Sequence, residues 1–323
     1  MKFPKTQVIA LANQKGGCGK TTSAISIAAT FAHLGYSAAI VDTDQQCNAT
    51  MHFGVSPDEL FAQGKHTVLD AYMAKRAAIN FQIGFGERFN NKLFLVPGNK
   101  SLKSIGPRFD LEVQVELTKP NRADIDGDDV RREQRFRLRD SLNSLRGVHD
   151  VVIIDTPPDL DFIMTSALAA ADWFIVPVFP SGYDLDGLKN LITTVNKVRS
   201  KFNPDLKLAG ILLGNVEPNR KLHSEIHGIL CANFGKEAVF QTTIGHGVKM
   251  QELTVLKRTV FEHEPSKRQA EEYKALVGEM INRGTRGKYA LTPLPDMNEF
   301  SERVENVTDM NLSPEALLEV ANG

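Results

Sequence analysis

Apolar positions along the chain fall into short runs separated by longer stretches with helical spacing. The runs at 7–12 (QVIALA), 37–41, 93–96, 151–154, 173–178 and 208–213 hold few polar residues. A strand that is apolar at every position has no face for water, so these runs predict strands buried on both sides. Between them, apolar residues three and four apart predict helices over 21–34, 135–145, 162–170, 185–202, 221–234 and 267–281. Gly35 stands just past the first of these as a helix stop. Strands alternating with helices predict an α/β fold, a single domain with a mostly parallel twisted sheet covered by helices on both faces. Ligands of such sheets bind at the carboxyl ends of the strands.

Two stretches break the alternation. Residues 109–133 are charged, carry Pro120 and the turn-like Asp126-Gly127-Asp128, and show no helical period. They predict an insertion over about 109–134, a hairpin or a mobile loop. Beyond Gly284 the composition shifts: residues 289–323 hold seven acidic residues against one basic, Arg303, together with Pro293, Pro295 and Pro314. That predicts an acidic, poorly packed, flexible tail over 285–323 appended to a domain over 1–284.

The charge balance, 38 Lys and Arg against 39 Asp and Glu, excludes a uniformly basic surface, so any nucleic-acid contact must come from a local patch. Cys18, Cys47 and Cys231 stand far apart with no C-x-x-C pair, which argues against a disulfide framework or a Cys-rich metal site and suits a reducing cytosol. The polar start has no signal-peptide pattern, and the longest apolar run, 165–178, is broken by Asp172 and Pro177. No membrane span is expected.

The chemistry concentrates at residues 13–22, Asn-Gln-Lys-Gly-Gly-Cys-Gly-Lys-Thr-Thr, directly between a predicted strand and a predicted helix. Glycines at this place let backbone N–H groups turn around phosphate oxygens without Cβ obstruction, and the helix start adds partial positive charge. Gly16, Gly17, Cys18, Gly19 and Thr22 would form the cradle, Lys20 would reach the β- and γ-phosphates, and the Thr21 hydroxyl would ligate Mg²⁺. The strict G-x-x-x-x-G-K-[ST] pattern fails, because its first glycine would fall at Gln14. K-G-G-x-G-K-T stands instead, with a second lysine at Lys15.

That motif resembles the deviant Walker A of the ParA/MinD superfamily, closest to ParA/Soj-type partition proteins. Ile40-Val41-Asp42-Thr43-Asp44-Gln45-Gln46-Cys47-Asn48-Ala49-Thr50 is similar to the family's V-D-x-D-x-Q-x-N-A-T segment. Val151-Val152-Ile153-Ile154-Asp155-Thr156-Pro157-Pro158 is similar to its Walker B, and Phe261-Glu262-His263 with Ser266-Lys267 and Glu272-Tyr273 to its closing segment. The resemblance covers about 6–108 and 135–284. It implies a P-loop ATPase using ATP and Mg²⁺, with slow intrinsic turnover. Asp155, ending its strand, would hold the metal through a water.

 In that arrangement a water stands between the carboxylate and the cation. Asp42 would support the metal shell, or, on the residue pattern alone, cap the turn that follows it. Asp44 would position the attacking water. Lys15 would cross a dimer interface to the partner's phosphates, an arginine-finger effect supplied by lysine. Asn215, closing the strand at 208–213, would meet adenine together with Gly245 and Gly247. Cys18 reads as a filler.

The resemblance further implies an ATP-dependent sandwich homodimer, cytoplasmic and nucleoid-associated, that binds double-stranded DNA non-specifically. A ParB-like adaptor would stimulate hydrolysis to move a plasmid, a chromosome origin or a protein cargo. Lys249 aligns with the DNA-contacting basic residue of Soj-like relatives, and Lys257, Arg258, Lys267 and Arg268 follow. Residues 245–288 carry nine Lys and Arg against six Asp and Glu, a modest excess that a dimer would double. The alternative is a MinD-like membrane-associated ATPase, which needs a basic amphipathic C-terminal helix; the stretch 314–320 is short and lacks lysine. An iron–sulfur reductase of this superfamily would need a cysteine pair that is missing here.

Overall fold

The expected strands form because each is flanked by others and covered on both faces, which leaves no position for a polar side chain to reach water. The computed structural model describes residues 5–74, 78–119, 126–180, 185–217, 221–247, 249–263, 266–284 and 296–309, with the side chains at 185–186, 221–225, 249–251, 284 and 307–309 outside that description. Seven strands make one sheet: β1 (Gln7–Leu11), β2 (Ala38–Asp42), β3 (Ile83–Gly84), β4 (Leu93–Val96), β5 (Val151–Asp155), β6 (Trp173–Val178) and β7 (Lys207–Leu213). Their order across the sheet is β3-β4-β2-β5-β1-β6-β7, parallel throughout except for the short β3, which runs antiparallel to β4.

Alternate residues of each strand feed two separate cores. Val8 and Ala10 of β1 pack into one, and Ile9 and Leu11 into the other. On the second face lie α1 (Lys20–His33), α2 (Asn48–His52), α10 (Lys249–Leu256) and α11 (Lys267–Gly284), through residues such as Ile27, Ala49, Leu253 and Tyr273. On the first face lie α4 (Val68–Met73), α5 (Ile105–Leu117), α6 (Gly127–Leu142), α7 (Phe162–Ala170), α8 (Leu185–Lys201) and α9 (Lys221–Phe234). The short α3 (Pro57–Ala62) is capped by the Ser56 hydroxyl, which accepts from the Glu59 N–H at 3.2 Å.

Two expectations are corrected. The described residues of the stretch 109–133 are mostly helical, not a hairpin of strands or a loose loop: they contribute most of α5 and the first turns of α6, a helical pair packed on α4 and α7. Asp126 caps α6, its carboxylate accepting from the Asp128 and Asp129 N–H groups at 2.8 Å each. On α5 the buried positions are Ile105, Phe109, Val113 and Glu116, so a charged residue takes one of the slots that would mark a helical period. Gln134 donates to the Phe109 carbonyl at 3.0 Å, and Arg137 pairs with Glu112 and donates to the Tyr72 carbonyl at 3.2 Å. Of the described residues between the two helices, 118–119 and 126 belong to neither, and 120–125 lie outside the description.

Within the acidic tail, the described residues 297–309 are helical rather than loose. Met297–Asp309 forms α12, capped by Asp296, whose carboxylate accepts from the Asn298 and Glu299 N–H groups at 2.8 and 3.0 Å. Met297, Phe300 and Val304, spaced three and four apart, are buried against α8 and α9. Glu299, Glu302 and Glu305 of this helix are exposed. The stretch 314–320 weighed as a membrane anchor lies outside the described residues, and among those described no helix is long and apolar enough to cross a membrane.

Candidate functional site

β1, β2 and β5 run in register, so Leu11, Asp42 and Asp155 arrive together at the carboxyl edge of the sheet. The chain leaves β1 there into the glycine-rich loop. Asn13 pins the loop's start, its amide donating to the Pro177 carbonyl at 2.6 Å while its oxygen accepts from the Lys15 N–H at 3.0 Å. Gly17 and Gly19 have φ of 71° and 86°, a left-handed backbone that a side chain would strain. A Cβ on Gly19 would also stand 2.9 Å from the Phe179 ring. Two physical demands therefore fix glycine at that position.

Lys20 opens α1 and is buried, its ammonium donating to the Lys15 carbonyl at 2.9 Å and lying 3.8 Å from the Cys18 sulfur. Burial pushes the Cys18 thiol up although Lys20 pulls it down, which suits a packing role. Lys15, Gly16 and Gly17 are exposed at the loop's tip.

Asp155 is fully buried and neither carboxylate oxygen has a hydrogen-bond partner. Burial first, then the Asp42 and Asp44 charges, hold its carboxyl well above the ordinary range, while the nearby Thr21 hydroxyl and Lys20 ammonium pull the other way. A desolvated carboxylate without donors is costly to ionise, and a cation beside it removes the cost. Thr21 and Asp155 thus have the donor chemistry for a hard divalent ion.

Asp42 is spoken for by the chain itself. One oxygen accepts from the Asp44 N–H at 3.2 Å, the other from the Thr50 N–H at 2.8 Å and the Thr50 hydroxyl at 2.6 Å. Burial outweighs those bonds and pushes its carboxyl up to about 6. Of the two roles open to it in the sequence, these contacts are those of the turn cap. Asp44 lies past the end of β2, nearly buried, with one oxygen accepting from the Gln46 N–H at 2.8 Å.

At the far end of the same cleft, Asn215 has a left-handed φ of 58° and its side-chain oxygen stands 2.6 Å from His246 Nδ1. Gly245 donates to Glu272 at 2.8 Å, and Arg268 ties this segment down, donating to the His246 carbonyl at 3.1 Å and pairing with Glu272 at 3.1 Å. The cleft measures about 570 Å³ and runs from Gly16, Lys20 and Asp44 to Asn215 and Gly247. That is the size of a small-molecule or cofactor site.

The fold therefore gathers Gly16, Gly17, Gly19, Lys20, Thr21, Thr22, Asp44, Asn215, Gly245 and Gly247 around one space, with Asp42 and Asp155 buried at its floor. Phe179 and Thr254, which carried no motif, also line it, as does Tyr273 of the closing segment. Phe179 touches both halves, since a Cβ on Gly214 would meet its ring at 3.0 Å as one on Gly19 does at 2.9 Å. The basic residues are more dispersed. Lys249 opens α10, with its side chain outside the described residues. Lys257 has a left-handed φ of 54° and lays its stem over Gly54, Arg258 borders a second cleft, and Lys267 and Arg268 open α11.

Glycines that open backbone N–H groups toward a helix start, with a lysine and a threonine at its first two positions, are how P-loop proteins hold phosphate. This fold and site are of that class. A family described as "AAA domain" matches residues 6–208. The chain is 33% identical to the chromosome-partitioning ATPase Soj of Thermus thermophilus, over 86% of this chain and 97% of that one. It is 30% identical to the chromosome partitioning protein ParA of Myxococcus xanthus, over 86% and 89%. Among solved structures, cobyrinic acid a,c-diamide synthase from Mycobacterium smegmatis with bound ATP analog and magnesium is similar at a TM-score of 0.67 and 25% identity, over 89% of this chain and 99% of that one. The chain belongs to the ParA/MinD-type P-loop ATPases.

Proposed function

We propose that this protein is a Mg²⁺-dependent, ParA-type ATP switch with slow intrinsic turnover. The observation that carries the reading is the buried, unpartnered Asp155 carboxylate beside Thr21 and Lys20 at the mouth of the glycine loop. A Mg²⁺ ion there would neutralise phosphate charge when nucleotide is bound. Lys20 would exchange its bond to the Lys15 carbonyl for one to phosphate. The loop's N–H groups would hold the remaining oxygens, and Asn215 with Gly245 and Gly247 would take the base. Asp44, fixed by the Gln46 N–H, would orient the attacking water and draw its proton.

In this reading Lys15 reaches the partner's nucleotide in an ATP-bound homodimer, and hydrolysis separates the pair. The dimer would bind DNA without sequence preference through Lys249, Lys257, Arg258 and Lys267, with Arg268 bracing the base-binding segment. A ParB-like adaptor would speed hydrolysis to move a DNA or protein cargo. The Soj and ParA relatives support the partition role, and their printed names concern chromosomes. The test is Asp44→Ala, which should bind ATP but hydrolyse it at least a hundredfold more slowly, in line with loss of a general base or water-orienting group. Sedimentation should then show a lasting ATP-bound dimer. A variant that stays monomeric in ATP, or turns over at the parent's rate, contradicts the assignment.

A further inference from the structure

A second cleft of about 210 Å³ lies between the start of α1, the end of α2 and the end of α10. It shares Thr21, Thr22, Asn48 and Thr254 with the main cleft, and the buried His52 lines it but not the main cleft. We propose that it is a binding site for a small oxyanion, seated beside the nucleotide rather than in its place.

Three features carry this. The lining is built of donors: the hydroxyls of Thr22, Ser26 and Thr259, the Asn48 amide and the Arg258 guanidinium, with no aspartate or glutamate among the lining residues. Arg258 has no ion pair among the described residues, so its charge is not already matched. His52 is only 6% exposed, yet its Nε2 has no hydrogen-bond partner. A buried imidazole nitrogen left unsatisfied is costly, a cost that a ligand atom in the cleft would remove. The space is well above the ~10–15 Å³ that one water needs, and polar enough to hold a solvated ion.

The charge around His52 fits an anion as well. Burial and the Arg88 charge hold its pKa below the ordinary value, while the Arg258 carbonyl and Glu262 pull it up. A bound oxyanion would favour the protonated ring, so binding takes up a proton and strengthens as pH falls. The first turn of α1, a helix of 14 residues, adds its N-terminal partial charge at Thr21 and Thr22. The oxyanion has two sources, a free ion such as inorganic phosphate or a phosphate carried on the ribose of a bound adenosine nucleotide.

The proposal uses the nucleotide reading only because the test must fill the main cleft. The full chain is saturated with ADP and titrated calorimetrically with sodium sulfate at constant ionic strength, since sulfate stays doubly charged over the pH range used. We expect saturable binding, tighter at pH 5.5 than at pH 8, and weakened roughly tenfold or more by Arg258→Gln. In the unsubstituted protein the His52 ring resonances should move toward the protonated position as sulfate is added, a readout that needs no variant to fold. Adenosine 3′-phosphate 5′-diphosphate, compared with ADP, separates the sources: a gain lost in Arg258→Gln assigns the site to a ribose-borne phosphate, and sulfate binding without that gain assigns it to a free ion. If ADP fails to bind, the nucleotide reading falls, and the His52 resonances still report on the second cleft. No movement of those resonances, with neither sulfate binding nor a gain from the 3′-phosphate, overturns the proposal.

Discussion

Replacing Asp155 by asparagine should act in opposite directions on the empty and the loaded protein. The side chain keeps its size and loses an ionisable group whose charged form is disfavoured by burial and by Asp42 and Asp44. In the folded state Asp155 keeps its proton to a higher pH than in the unfolded chain, so its contribution to stability is full below the unfolded pKa and is lost as pH rises toward the folded one. Each such carboxyl gives a slope of up to about 1.4 kcal/mol per pH unit. Asp42, pushed up to about 6, adds a second slope from its ordinary value near 4 to that point. Metal-free parent protein should therefore lose stability more steeply as pH rises above the ordinary carboxylate range than Asp155→Asn, which keeps only the Asp42 slope. At pH 7 the empty variant should be the more stable, because the buried carboxyl no longer has to ionise. With Mg²⁺ and ATP at about a hundred times the dissociation constant the parent gains ~2.7 kcal/mol, and the variant should gain much less. Urea unfolding with chelator, then with Mg²⁺ and ATP, measures both. An empty variant less stable than the parent at pH 7, or an equal gain from ligand, refutes the reasoning.

Lys15→Gln should bind ATP like the parent but lose ATP-dependent dimerisation, whereas Lys20→Gln should lose nucleotide affinity itself; equilibrium binding and sedimentation together separate the two lysines. Phe300→Ala should destabilise the domain by about 3–5 kcal/mol, because the ring is buried between α12 and the first-face core; denaturant unfolding checks this, and a change under 1 kcal/mol would return the helix to the status of a loose tail.

Much of the architecture was legible because its signals are local. β4, β6, α7 and α9 begin and end where the apolar pattern begins and ends, and the glycine loop stands in the expected strand–loop–helix setting. What escaped depends on partners far along the chain. α5 and α6 satisfy buried Gln134 and Arg137 with the Phe109 and Tyr72 carbonyls, so the charged residues that read as solvated are partly interior. α12 carries apolar residues at 297, 300 and 304, but its acidic and proline-rich surroundings outweighed three positions. The contacts of Asp42 depend on Thr50, eight residues on, whose hydroxyl and N–H both donate to one carboxylate oxygen. Phe179 has no motif at all, and its place follows only from the approach of Gly19 and Gly214.

The central claim is that ATP creates a dimer able to hold DNA, and one paired measurement addresses it. Unrelated duplexes and anionic liposomes are each mixed with the protein in ATP and in ADP, and retention is followed against salt. Phosphate-backbone contacts carry no sequence information, so the account predicts ATP-dependent retention of every duplex alike. Its logarithmic affinity should fall linearly with log salt, by about 0.9 for each phosphate neutralised, and Lys249→Glu should abolish it without disturbing the dimer. Liposome binding without DNA binding, or DNA binding indifferent to nucleotide, would contradict the account.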